Sequence, residues 1–157
     1  MSVETQETRP RPHLMTGHAH HGVLRAIGRR WPAWFGLAVA FATFADGMPG
    51  MDRLAALLIS MPLFYLGIGA VRRSLGDRRT LAVQLAGLVV FVGLGVAALV
   101  AGGTAGWWLL AAGWLGHALW DGVHFLTRRV VPRGWSEWCG VIDLCGTVAI
   151  GAVALTA

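Results

Sequence analysis

The sequence predicts an all-α polytopic membrane protein, a bundle of five transmembrane helices with its N-terminus cytoplasmic and its C-terminus outside. Three observations carry this expectation. Of 157 residues, 55% are hydrophobic, and the mean hydropathy of +0.59 is too high for an ordinary water-soluble domain of that length. Charged residues are only 13% of the chain and fall in short clusters between long apolar runs, the pattern by which hydropathy separates spans from loops. All 13 basic residues are arginines, and they crowd into alternate loops.

Residues 1–30 read as a polar cytoplasmic tail, with Pro10, Pro12, four histidines (His13, His18, His20, His21) and five arginines. Its end, 23–30, has the composition of a short basic amphipathic helix on an anionic membrane surface. The transmembrane domain follows over 31–157. A first span over 31–45 opens with Trp31-Pro32, proline suiting the first helical turn and Trp31 and Trp34 the headgroup interface. A loop containing Asp46, Pro49, Gly50 and Asp52 precedes the second span, 54–71, which the cluster RRSLGDRR stops. The third span is 81–101. Gly102-Gly103 turns the chain tightly into a fourth, 105–126, which ends at Arg128-Arg129 and Pro132. The fifth, 136–156, has Ser136 as its expected N-cap. Small residues at four-residue spacing (Gly36 and Ala40; Gly93, Ala97 and Ala101; Thr147 and Gly151) suit close helix contacts. Cys139 and Cys145 lie six residues apart, about 9 Å along one helix axis, too far to bridge.

From tail to last loop the arginines number five, one, four, none and three. By the positive-inside rule the tail and the second and fourth loops are cytoplasmic. Arginines that flank spans are topology signals rather than a stripe for nucleic acid, which is excluded as a partner.

The fourth span contains GHALWDGVHF, which puts His117, Asp121 and His124 within about 60° on one stripe. Ionisable groups at membrane depth are costly, face the bundle interior and are functional candidates by default. The fifth span enters from the same side, so Asp143 falls at a depth between His117 and Asp121, and Glu137 lies in its first turn. Imidazole and carboxylate are ordinary ligands of zinc, iron or manganese, and His117 with Asp121 at i, i+4 can chelate one ion. His117 and His124, about 10 Å apart along the axis, cannot easily share it. The candidate centre is therefore Asp121 with one histidine, completed by Asp143 or Glu137. The same groups at successive depths would also serve a proton path.

Trp107, Trp108, Trp135 and Trp138 sit at expected interfaces and need only the aromatic belt to account for them. Trp114 and Trp120 lie deeper, as candidate pocket aromatics for a flat or lipidic ligand. Asp46, Met48, Met51 and Asp52 form a solvated outer turn.

The stretch from GHALWDGVHF through VVPRGWSEWC to Asp143 resembles small uncharacterised bacterial polytopic membrane proteins with a His-x3-Asp-x2-His helix followed by a VVPR turn. The resemblance covers about a fifth of the chain and implies no known activity; the spans and their arginine flanks are read as those of a bacterial inner-membrane protein. The five spans and many tryptophans are also similar in architecture to the porphyrin-binding tryptophan-rich sensory proteins, whose proline- and asparagine-containing motifs are missing here. Two functions follow as expectations. One is a polar His/Asp site between the fourth and fifth helices that binds a divalent metal or relays protons. The other is a ligand-binding or assembly subunit, in a homo-oligomer or with a membrane partner, whose polar groups are structural.

Overall fold

Consecutive helices are joined by very short turns. The computed structural model describes residues 27–157; the expected tail as far as residue 26, with its four histidines and the first half of the amphipathic 23–30 segment, lies outside the described residues. The chain divides into two units, Met1–Trp31 and Pro32–Ala157. In the first, Arg30 N–H donates to the Ile27 carbonyl at 3.0 Å. The described residues contain five long helices and no strand: α1 (Trp31–Phe44), α2 (Met51–Val71), α3 (Arg78–Ala101), α4 (Gly103–Thr127) and α5 (Arg133–Thr156).

Three of them, α2, α3 and α5, are long and apolar enough to cross a membrane. At 14 residues α1 is apolar but shorter. At 25 residues α4 is the longest, and His117, Asp121, His124 and its tryptophans lower its hydropathy. The outer surface is apolar on every helix: Phe41 is 76% exposed, Val89 71%, Leu119 66% and Val148 74%. A water-soluble monomer does not sustain such continuous apolar exposure.

Helix starts differ from the expected boundaries for local reasons. Asp77 caps α3, its carboxylate accepting from the Arg79 and Thr80 N–H groups at 3.3 and 3.0 Å, so the helix begins three residues before the apolar run. Ser136 is not the cap of α5. Pro132 is, and the buried Ser136 hydroxyl bonds back to the Arg133 carbonyl at 3.2 Å inside the helix. Gly102 and Gly103, at φ 59° and 48°, turn α3 directly into α4, a left-handed backbone that glycine adopts without a Cβ penalty.

The central element is α4, which packs against α2, α3 and, most extensively, α5. Thr104 near its start donates to the Ala157 carbonyl at 2.8 Å, as an antiparallel α4–α5 pair requires. Glycines set the spacing. A Cβ at Gly146 of α5 would run into the Trp114 ring, one at Gly87 of α3 would come within 2.8 Å of Trp120, and one at Gly36 of α1 within 2.6 Å of the Trp138 carbonyl. Gly93, Ala97 and Ala101, expected in a contact, are exposed. The buried face of α3 is Gln84, Gly87, Phe91, Gly95 and Ala98. Met48 and Met51 of the expected solvated turn pack against the Leu54, Leu58, Leu110 and Trp114 core instead.

Candidate functional site

The buried stripe of α4 runs Leu110, Gly113, Trp114, His117, Asp121, His124, a 3.6-residue period in which the polar groups continue the apolar seam. Facing it, α5 buries Ser136, Asp143 and Gly146. Gly140 makes the approach close, because a Cβ there would lie 3.3 Å from Asp121 Cβ. His117 is 0% exposed and Asp121 and Asp143 1% each.

His117 Nδ1 lies 2.7 Å from Asp143 Oδ2 and 3.8 Å from Asp121 Oδ2. Tyr65 of α2 donates its hydroxyl to Asp121 Oδ1. With Asp143 accepting, the network assigns the proton to Nδ1 and leaves Nε2 as a lone pair. Among the described residues, His117 Nε2 and Asp121 Oδ2 have no hydrogen-bond partner. One ligating atom from each of His117, Asp121 and Asp143 falls within 4.8 Å of the other two. Phe91 and Tyr65 stand edgewise to the His117 ring at centroid distances of 4.9 and 5.7 Å, fixing it between aromatic walls.

The sequence-derived set therefore separates. His117, Asp121 and Asp143 come together. His124 is buried on the same stripe but otherwise engaged: Nδ1 donates to the Trp120 carbonyl and Gln84 Nε2 donates to Nε2, both at 2.9 Å. Glu137 is half-buried in the second turn of α5, six residues and about 120° around the helix from Asp143. It is not among the three groups that converge. Trp114 and Trp120 do not share a pocket, since six residues place them on different faces. Trp114 donates Nε1 to the Leu54 carbonyl at 3.3 Å and borders a cavity with His117, whereas Trp120 lines a recess with Gln84, His124 and Arg129. Tyr65 and Gln84 were not singled out from the sequence. The available signals were that Tyr65 is the only tyrosine and that Gln84 interrupts an apolar run.

The chemistry of the cluster follows from its charge. Two carboxylates and one imidazole, all removed from water, need a compensating cation or shared protons, because uncompensated buried charge is strongly unfavourable. One nitrogen and two oxygen donors on successive turns of α4 and one turn of α5 make a set that suits zinc, manganese or iron.

Fold and site define an all-helical protein with membrane-capable helices and a buried His/Asp group able to hold a metal. No family model, curated protein or solved structure matches the chain.

Proposed function

We propose that this is a five-span inner-membrane protein, N-terminus cytoplasmic and C-terminus outside, whose α4–α5 pair binds a divalent transition metal through His117, Asp121 and Asp143. The observation that carries the reading is the convergence of three buried ligating atoms within 4.8 Å, with Asp121 Oδ2 accepting no hydrogen bond among the described residues. Support for five spans comes from the packing of the polar α4 against three apolar neighbours and from the arginine alternation. On that topology His117 sits roughly 15 Å from the cytoplasmic end of α4, near mid-membrane. Tyr65 holds Asp121 in place, as partners of metal ligands commonly do. Binding at His117 Nδ1 would leave the neutral ring's proton on Nε2, and because the ligands bind as neutral imidazole and ionised carboxylates, metal affinity should weaken in acid.

A second reading, proton relay, is favoured by the continuous run of polar contacts from Tyr65 through Asp121 and His117 to Asp143. Elemental analysis and thermal stability of the purified wild type, Asp121→Asn, Asp143→Asn and His117→Gln separate the possibilities. Asparagine preserves shape and hydrogen bonding while removing the charge, so the metal reading expects stoichiometric metal in wild type and its loss from all three variants with the fold retained. Wild type free of metal leaves the proton path, tested by histidine titration of His117. Variants equal to wild type in both measurements make the cluster structural, as in a ligand-binding or assembly subunit.

A further inference from the structure

We propose that the cleft between α2 and α5 binds a membrane-dissolved amphiphile with a hydroxyl head, an alcohol or phenol, which reaches the His117–Asp143 pair from the lipid side. Both helices pack on α4, but not closely on each other, and the gap left between them, lined also by Val39 and Thr43 of α1, is a cavity of about 230 Å³. At interior packing density that volume takes on the order of a dozen non-hydrogen atoms. Its walls are mostly apolar and aromatic, including Met61, Phe64, Trp114, Trp138 and Ile142. Leu57 and Phe64, which line it, are also exposed on the outer surface, so a longer tail can continue into the bilayer.

The chemistry of the head follows from the polar groups along the cavity. His117 and Trp135 both line it, and among the described residues His117 Nε2 and Trp135 Nε1 are buried without hydrogen-bond partners. With the proton on Nδ1, Nε2 calls for a donor, and with Nδ1 on a metal the ring's proton sits on Nε2, which then calls for an acceptor, as the indole N–H does in either case. A hydroxyl is both. Among the described residues no arginine lines the cavity, and Asp143 does, which disfavours a phosphate head. Pockets of this kind, apolar with a few placed polar groups, are where small ligands bind.

The inference rests on His117 and Asp143 acting as a functional pair, and the experiment separates it from the metal reading. The full-length protein in nanodiscs is photolabelled with a diazirine-bearing alkylphenol. The expected result is saturable labelling of cleft residues on α2 and α5. Para-pentylphenol should compete about tenfold better than pentylbenzene, the worth of one hydrogen bond. Filling the cleft with Ile142→Trp, or more mildly with Ser60→Phe, should abolish labelling while metal content is retained. Asp121→Asn, which does not line the cleft, should lose metal and keep labelling. Saturable labelling of a wild type free of metal would sink the metal reading and uphold this one. Unsaturable labelling, equal competition by pentylbenzene, stronger competition by pentylamine, or labelling unchanged in both filled variants overturns the proposal.

Discussion

Each carboxylate of the cluster has its own anchor, and removing an anchor tests the arrangement one atom at a time. Tyr65→Phe deletes the hydroxyl that Asp121 accepts from and changes little else. A hydrogen bond to a charged acceptor contributes about 1.5–3 kcal/mol, and loss of a group that orients a ligand weakens metal binding roughly 10–100-fold. Competition with a fluorescent chelator would measure this, and unchanged affinity would separate Tyr65 from the centre. Gln84→Leu should leave metal content unchanged, because Gln84 bonds to His124 rather than to the triad; elemental analysis checks it. The triad was legible in the sequence because helical spacing and matched depth bring His117, Asp121 and Asp143 to one level. Tyr65 was not, since it lies 56 residues from Asp121 and only the packing of α2 on α4 joins them. His124 shares the stripe, but its ring nitrogens are occupied by a carbonyl and an amide that spacing cannot reveal.

Among the helices, hydrophobic runs located all five, while the starts and buried faces depended on contacts that hydropathy does not encode. The exposed Gly93, Ala97 and Ala101 and the buried Gly87 and Gly95 belong to one glycine-rich α3, and which face turns inward is decided by Trp120 and Ile59 reaching into the notches. The α4–α5 contact has a comparable notch. Gly146→Ala drives a methyl into the Trp114 ring and should destabilise by about 1–3 kcal/mol. Gly151→Ala, with open space around it, should be neutral in the same detergent melt. At the start of α3 the hydrogen bond from the Thr80 side chain, followed by the Thr80 and Arg79 backbone N–H groups, holds Asp77 below its ordinary pKa of 3.8. A carboxylate depressed on folding contributes stability above its unfolded pKa and loses it as pH falls through the folded value. The first turn of α3 should therefore fray below about pH 4. Amide exchange at Arg79 and Thr80 reads this, and Asp77→Ala should show the frayed behaviour at every pH.

For the whole chain, the proposed five-span topology, drawn from the arginine alternation, puts the ends on opposite sides of the membrane. A reporter fused after Ala157 should be active only outside, and one within the Arg72–Arg79 turn only inside; a cytoplasmic C-terminus would end the five-span topology. The helical architecture was readable because long apolar segments stand out from the polar turns between them. The cleft was not, because it arises from a gap between two helices that each fit well against a third. That third helix, α4, also bears on biogenesis. A lone aspartate at a helix centre opposes translocon insertion by about 2.5–3.5 kcal/mol, and α4 carries Asp121 together with two histidines. In a glycosylation-mapping assay α4 alone should insert poorly, and α4 followed by α5 efficiently, with Asp121→Leu restoring insertion of the single segment. On the proposed five-span topology, the residues of the candidate centre would thus delay the commitment of their own helix to the bilayer until its partner has been synthesised.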